Sequence, residues 1–264
     1  IDRSDLTIKN YISDIKIFLI WNLEHNKNKF FVDFTKRDMI KYQNFMLNNM
    51  QLSSNRIRRL RASISSLSNY IEAILDEDFP QFRNIINKIP APEKQAVREK
   101  TVLQDDEVQK LLDFLVENKE YQQACVLALA WASGSRKSEL LRFKVSYFND
   151  DNIIYGSLYK TPEKIKTKGR SKKGKLLERF VLKNKFKPYL DLWIEERKRL
   201  EVDETIDELF VVKKLEGWQP MKESSLNYYA ELFSKYLNVD FYFHCLRHNF
   251  TTELIRAGIP AELI

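Results

Sequence analysis

The segment FHCLRHNFTTEL (residues 243–254) decides the fold of this chain, together with SGSRKSEL (residues 133–140) more than a hundred residues earlier. In the later segment His244 and Arg247 are three residues apart, so a helix places both on one face. Apolar residues at every fourth position predict a buried stripe on the opposite face. That stripe consists of Leu246, Phe250 and Leu254.

The polar residues of the two segments suit chemistry at one phosphate. A guanidinium group is a permanently charged planar fork that grips two phosphate oxygens at once, and Arg136 and Arg247 each lie near the start of a predicted helix. Glu139 lies on the same face as Arg136 and is expected to hold its guanidinium in place. Taken alone, that pair is better explained as a surface ion pair of about 0.2–0.5 kcal/mol, and His244 as a hydrogen-bonded core residue.

The two segments together resemble the pair of sequence boxes that marks tyrosine recombinases, the phage and transposon integrase family. The matching patterns are Gly-x-Arg-x-x-Glu-Leu and, far downstream, His-x-Leu-Arg-His-x-Phe-x-Thr. Residues 103–112 resemble the opening helix of the family's catalytic domain, and residues 4–76 its helical core-binding domain. The resemblance therefore covers nearly the whole chain and favours a catalytic site over the two simpler explanations.

The resemblance implies roles for the residues of both boxes. Arg136 and Arg247 are expected to clamp the non-bridging oxygens of the scissile phosphate, and His244 to donate a further hydrogen bond. Glu139 and His248 are expected to support this catalytic set. Two histidines four residues apart can also share a metal ion, but Cys245 stands where a metalloprotease helix has its glutamate, so neither a metal nor another cofactor is predicted.

A lysine-rich segment between the boxes is expected to supply the general acid that protonates the leaving sugar hydroxyl. Alternation along a strand places Lys164, Lys166 and Lys168 on one face, so geometry does not choose between them. Lys168-Gly169 matches the Lys-Gly step of the family best, which makes Lys168 the first candidate and Lys166 the second. The remaining basic residues are expected to contact DNA phosphates. They are Lys164, Arg170, Lys172 and Lys173.

The family places its nucleophilic tyrosine some distance beyond the second box, and no tyrosine follows Arg247 in this sequence. We expect the chain to be truncated before the nucleophile and therefore to bind DNA without cleaving it, while the complete protein would form a 3′-phosphotyrosine link and act as a tetramer. The first residue, Ile1, likewise suggests a fragment. The alternative is a DNA-binding regulator, derived from a recombinase, that never cleaves.

The predicted fold is mainly α with a small antiparallel β-sheet. Residues 1–88 are predicted to be the core-binding domain, residues 89–100 a Pro-containing linker, and residues 101–264 an incomplete catalytic domain, and the resemblance implies that the domains form a clamp around duplex DNA. Helices are predicted at residues 36–49, 54–75, 105–132, 183–200 and 223–237, and in the 243–254 segment before Gly258. Strands are predicted at residues 153–155, 164–168, 176–182 and 208–212.

Charge is concentrated rather than spread along the chain. The net charge is +7 over 264 residues, but residues 160–187 hold twelve Lys or Arg against two Glu, and the rest of the chain sums to about −3. Such a concentration is typical of a nucleic-acid contact. A helical RNA-binding protein would explain the charge but not the two boxes.

Four arginines crowd the start of the helix predicted to begin near residue 54, and each is a candidate for DNA contact. They are Arg56, Arg58, Arg59 and Arg61. Positive charge at a helix N-terminus opposes the macrodipole, so either an external anion or a solvated basic face would explain it. Two cysteines, no apolar run longer than nine residues and no signal peptide favour a cytoplasmic protein of bacterial or phage origin without a membrane span.

Overall fold

The computed structural model describes residues 4–95, 101–167 and 174–260. These residues form two compact units, one before and one after residue 100, and each unit has its own apolar core. The predicted class, mainly α with small antiparallel sheets, is confirmed. None of the described helices is both long and apolar enough to cross a lipid bilayer.

The described part of the first unit contains three α-helices, and side chains fix where they begin. The helices are α1 (Asp5–His25), α2 (Lys36–Asn48) and α3 (Ser54–Ile74). The Thr35 hydroxyl accepts a hydrogen bond from the Asp38 backbone N–H, and the Asp38 carboxylate accepts one from the Thr35 backbone N–H at 2.8 Å. This reciprocal cap satisfies N–H groups that otherwise have no partner at a helix start. The predicted start of α2 at Lys36 is confirmed, and α3 begins at Ser54, within one residue of its predicted start.

Aromatic packing holds α1 against α2 in this unit. Phe18 and Trp21 of α1 are buried, and their ring centroids lie 5.1 Å and 4.8 Å from that of the buried Tyr42 in α2. Burial raises the pKa of the Tyr42 phenol far above its usual range, so this hydroxyl stays neutral inside the core.

The basic start of α3 is partly neutralised inside the protein, by a buried carboxylate that neither sequence explanation included. Asp14 of α1 is fully buried, and its carboxylate lies 2.6 Å from Arg56 Nη1 and 3.4 Å from Arg59 Nε. Arg61 is itself buried and donates to the carbonyls of Ile86 and Ile89 at 2.9 Å and 2.6 Å. The buried Asp14 therefore accounts for Arg56 and Arg59, whereas Arg61, which was predicted to contact DNA, binds the protein's own backbone instead.

The segment predicted as a linker is hydrogen-bonded along the first unit. Ile89 belongs to its core, and three carbonyls beyond it accept hydrogen bonds from side chains of α2 and α3. The donor and acceptor pairs are Gln43 to Pro90, Arg58 to Pro92, and Asn55 to Gln95. Residues 89–95 are thus held in place by polar contacts in addition to the stiffness of their prolines.

The second unit contains six helices among its described residues. They are α4 (Asp105–Glu117), α5 (Tyr121–Ser133), α6 (Lys137–Leu140), α7 (Lys183–Arg199), α8 (Glu223–Leu237) and α9 (Phe243–Arg256). The single helix predicted over residues 105–132 is two helices, because Lys119 adopts a positive φ of 60° and breaks the hydrogen-bond pattern. The predictions for α7, α8 and α9 are confirmed to within one or two residues.

Among its described residues the second unit also contains seven short strands, which form three antiparallel sheets. They are β1 (Ile153–Ile154), β2 (Leu158–Lys160), β3 (Ile165–Thr167), β4 (Lys175–Leu177), β5 (Phe180–Leu182), β6 (Val211–Lys214) and β7 (Gly217–Pro220). The strand predicted over 176–182 is wrong as one element: β4 pairs with β3, whereas β5 pairs with β2 in another sheet. The chain therefore changes sheets at Glu178 and Arg179. The edge strand predicted at 208–212 begins later, at Val211.

Helix α5 is the centre of the second core. Every residue from Ala124 to Ser133 is buried, and the helix packs against α4, α7 and α9. The stripe predicted for α9 is only partly correct. Leu246 is buried, but Phe250 and Leu254 are half-buried, and the other buried positions of α9 are Phe243 and Cys245.

Candidate active site

Gly134 joins the two sequence segments in space. It ends α5 with a φ of 56°, and its carbonyl accepts a hydrogen bond from Arg247 Nη1 at 2.8 Å. A Cβ atom at this position would lie 2.6 Å from Phe250 Cδ1. Glycine is required here for two reasons: it allows the left-handed backbone, and it leaves room for the close approach of α9.

Glu139 anchors Arg136 from inside the protein. The Glu139 side chain is fully buried in α6, its Oε1 lies 3.0 Å from Arg136 Nη1, and its Oε2 accepts from the Arg136 backbone N–H at 3.2 Å. The Arg136 side chain is still 35% exposed. The surface-pair explanation is therefore wrong: a fully buried carboxylate holds an arginine that remains partly exposed.

Arg179 is a third arginine of this cluster, and the sequence reading missed it. Its Nη2 lies 2.8 Å from Glu139 Oε2, and its side chain is only 15% exposed. Arg179 lies two residues after the end of β4, at the point where the chain changes sheets. The one signal in the sequence was an arginine inside a predicted strand, and that signal is too weak to assign a site.

The cluster carries excess positive charge. Two guanidinium groups contact the Glu139 carboxylate and a third lies near enough to feel its charge, so Arg136, Arg179, Arg247 and Glu139 together have a net charge of +2. Burial lowers the pKa of Arg247, the charges of Arg136 and Arg179 lower it further, and Glu139 opposes them. An arginine stays protonated despite such a shift. Partly buried positive charge that is not fully neutralised favours an anion.

His244 and His248 lie side by side at the start of α9. Both are exposed, and their ring centroids are 4.7 Å apart with the rings nearly perpendicular. Among the described residues no group of three or more His, Cys, Asp or Glu side chains is arranged to hold a metal ion. His244 lies one turn before Arg247, as predicted, and the same helix carries both.

The lysine-rich hairpin is attached to the segment that follows α6. Ile165 and Thr167 of β3 are buried, and Lys164 and Lys166 are exposed, so the predicted alternation is observed. The Arg142 guanidinium donates to the Lys166 carbonyl. The first general-acid candidate, Lys168, lies outside the described residues. The same is true of Arg170, Lys172 and Lys173.

Glu163 fastens the base of the hairpin before β3. Its carboxylate accepts from Lys144 Nζ at 2.5 Å and from the Tyr147 hydroxyl. The hydrogen bond from Lys144, together with that from Tyr147, lowers the pKa of Glu163, and burial with this bond raises the pKa of Tyr147 to about 12. All three groups therefore keep their ordinary charge states near neutral pH.

Comparisons with known proteins assign the family. The model of the Phage integrase family matches residues 101–264. The SPbeta prophage-derived recombinase-like protein YomM of Bacillus subtilis (strain 168) is 34% identical over 196 residues, and the match covers 73% of this chain but only 58% of that protein. The TnP I resolvase of Bacillus thuringiensis is 23% identical over 97% of this chain and 82% of its own length.

Solved structures share the fold. The XerH site-specific recombinase bound to palindromic difH substrate aligns with a TM-score of 0.69 and 18% identity, covering 98% of this chain and 71% of that one. Lambda integrase residues 75–356 bound to DNA align with a TM-score of 0.61 and 16% identity, covering 96% and 81% of the two chains. The family match covers more than half of the chain and includes both sequence boxes. This chain therefore belongs to the phage integrase family of tyrosine recombinases.

Proposed function

We propose that this chain binds duplex DNA at a recombination site and activates the scissile phosphate for strand exchange through a 3′-phosphotyrosine intermediate. The observation that carries the proposal is the arginine cluster around Glu139. Arg247 binds the Gly134 carbonyl, two residues before Arg136, so the two sequence boxes meet where an anion is favoured. A site-specific recombinase needs such a site at the phosphate that it cleaves.

The proposed chemistry follows from the charge of the reacting phosphate. Attack on a phosphodiester adds negative charge to the non-bridging oxygens, and fixed cationic donors stabilise that charge. Arg136 and Arg247 take this role, and His244 donates a further hydrogen bond. Glu139 and His248 support them. A lysine of the hairpin, Lys168 first and Lys166 second, protonates the departing sugar hydroxyl.

DNA as the partner is supported by charge and by relatives. Residues 160–187 carry a local net charge of +10, and XerH and lambda integrase were solved bound to DNA. In the first unit Arg56, Arg58 and Arg59 remain candidates for DNA contact. A lambda integrase tetramer was solved on a Holliday junction, and we extend the same assembly to this protein.

The proposal requires a tyrosine nucleophile beyond the second box, and none of the residues that follow Arg247 in this sequence is a tyrosine. Reading the coding sequence beyond residue 264 tests this point directly. A tyrosine codon within a few dozen positions supports strand cleavage. A stop codon there instead favours the second candidate, a non-cleaving DNA-binding regulator.

The central experiment compares cleavage with binding in the full-length gene product. We expect Arg247→Ala to lower the single-turnover cleavage rate by about a hundred- to a thousand-fold, because a preorganised cationic donor is lost, while affinity for the site falls only modestly. Arg136→Ala is expected to do the same. Arg199→Ala is the matched control, since Arg199 is exposed on α7 and pairs with Glu196. Parallel losses of binding and cleavage would make Arg247 a scaffold residue.

A second experiment separates the candidate general acids. Lys168→Ala and Lys166→Ala are assayed on normal DNA and on a substrate whose leaving group departs without protonation. The activated leaving group is expected to restore the rate of the Lys168 variant and not that of the Lys166 variant. Rescue of the Lys166 variant alone would reverse the assignment, and rescue of neither would remove both residues from this role.

A further inference from the structure

The geometry points to Arg179 as a positioning residue that orients Arg136 through the carboxylate they share on Glu139. This inference rests on the proposed function of the cluster and adds a residue that neither sequence box contains. Arg179 is assigned no contact with the phosphate. Its role is to fix the second oxygen of the carboxylate, so that the first oxygen keeps the Arg136 guanidinium in one orientation.

The hydrogen bonds divide the Glu139 carboxylate between the two arginines. Oε1 accepts from Arg136 Nη1 at 3.0 Å, whereas Oε2 accepts from Arg179 Nη2 at 2.8 Å and from the Arg136 backbone N–H at 3.2 Å. The carboxylate is fully buried. Without Arg179 both remaining hydrogen bonds to the carboxylate would come from Arg136 itself, and a buried charge needs more support than that to keep one orientation. Arg179 supplies the one that keeps Oε1 directed at Arg136.

The backbone of Arg179 is held on both sides. Its N–H donates to the Thr161 hydroxyl at 3.0 Å, and its carbonyl accepts from the Thr161 N–H at 2.9 Å. Thr161 is itself buried, with 3% of its surface exposed. The guanidinium of Arg179 therefore extends from a fixed point, which is what a positioning residue needs.

Exposure distinguishes the two arginines that bind Glu139. The Arg136 side chain is 35% exposed and the Arg179 side chain 15%, so Arg136 is the one that a phosphate reaches more readily. Arg179 Nε is also buried without a hydrogen-bond partner among the described residues. A buried N–H without a partner is destabilising, which makes an arginine here a poor choice for stability alone and favours a functional reason.

Arg179 also connects the lysine-rich hairpin to the site. Strand β4 ends two residues before Arg179, and Arg142, just after α6, donates to the Lys166 carbonyl on β3. Both strands of the hairpin are thus attached to the segment that carries Arg136 and Glu139. Loss of Arg179 would release one of these attachments as well as the carboxylate.

The test is a double-mutant cycle in the full-length protein, with single-turnover cleavage and DNA affinity measured for Arg179→Met, Glu139→Gln and the double variant. A misplacement of about 1 Å in an active site can lower the rate about a hundred-fold, so we expect Arg179→Met to slow cleavage by that order without changing the Kd for DNA. We expect the double variant to be no slower than the slower single variant, because both changes interrupt one chain of contacts. Arg199→Met, a surface arginine outside the site, is expected to cleave at the normal rate.

Additive rate losses in the double variant would overturn the inference, because they would mean that Arg179 acts independently of Glu139. A weaker Kd for Arg179→Met would overturn it as well. If the methionine variant does not fold, Arg179→Lys replaces it in the same cycle under the same criteria. If Arg136→Ala and Arg247→Ala also cleave at the normal rate, the proposed function itself is wrong. If those two variants lose cleavage while Arg179→Met cleaves normally, only this inference is wrong.

Discussion

At the level of single residues, Gly134 and Glu139 illustrate how one position can serve both the fold and the site. Gly134 ends α5, receives the Phe250 ring and offers its carbonyl to Arg247. Glu139 is a buried charge that two arginines neutralise. Each residue contacts several elements at once. A substitute that suits only its own turn or helix would therefore lose the contacts with the others.

We expect Gly134→Ala to destabilise the second unit more than a left-handed backbone alone explains. A non-glycine residue at positive φ costs about 1–2 kcal/mol, and here the new methyl group would also lie 2.6 Å from Phe250 Cδ1. Gly156→Ala is the matched control, because its φ of 69° is similar and nothing lies within 4 Å of the added atom. The free energies of unfolding from urea titration compare the two. Equal losses would show that Phe250 gives way without cost.

At the level of elements, helix caps and strand ends determine where the side chains of the candidate site lie. The reciprocal cap of Thr35 and Asp38 begins α2, and the change of sheet after β4 places Arg179 beside Glu139. The short helix α6 matters for the same reason, because it presents Arg136 at its start and Glu139 three residues later.

The cap of α2 predicts a defined pH dependence. Burial alone would raise the pKa of Asp38, but hydrogen bonds from Thr35 and Lys29 outweigh it and leave the pKa below its usual value. A folded-state pKa below the unfolded one contributes stability above the unfolded pKa, and that stability is lost as pH falls through the folded value. Asp38→Asn is therefore expected to lower the free energy of unfolding of the first unit by about 1 kcal/mol at pH 7.

The difference in free energy of unfolding between the native protein and Asp38→Asn is expected to shrink as the pH falls below about 4, the ordinary pKa of an aspartate. Unfolding titrations at several pH values measure it, with Asp33→Asn in the preceding turn as the charge-matched control. A difference that stays constant with pH would mean that the carboxylate charge does not stabilise the cap.

At the level of the whole molecule, the distribution of charge matters more than its total. The chain has a net charge of +7, yet residues 160–187 alone carry +10. In the first unit, by contrast, the buried Asp14 pairs with two of the four arginines at the start of α3. Charge that looks similar in the sequence therefore differs in its surroundings: part of it is paired inside the first unit, and the rest is concentrated in the segment that we propose contacts DNA.

DNA affinity is expected to fall steeply with salt, with a slope of about −0.9 in log Kobs against log salt for each phosphate neutralised. Lys164→Gln combined with Lys166→Gln is expected to reduce the steepness by up to about 1.8, because both side chains are exposed on the hairpin. Lys198→Gln with Arg199→Gln, exposed on α7 outside the basic segment, is the control and should leave the slope unchanged. A flat salt response would contradict the backbone-contact mode of binding.

Local patterns in the sequence were sufficient for most helices and for the family. Caps such as Thr35, breaks such as Gly134 and the spacing of His244 and Arg247 depend on neighbours a few residues away, and the structure agrees with them. The errors fall where local rules compete with packing. Residues 105–132 have a continuous helical pattern and yet break at Lys119, and residues 176–182 have strand character and yet divide between two sheets.

By itself the sequence determined the class of fold, the two boxes and the arginines that they contain, since helix periodicity and capping act over one or two turns. Only the tertiary structure decided which charges meet. Arg179 lies 40 residues after Glu139, and Arg56 lies 42 after Asp14, so no spacing rule links them. Their pairing depends on which faces the helices and strands bury against one another, because a buried carboxylate takes whichever cation the packing brings within hydrogen-bond distance.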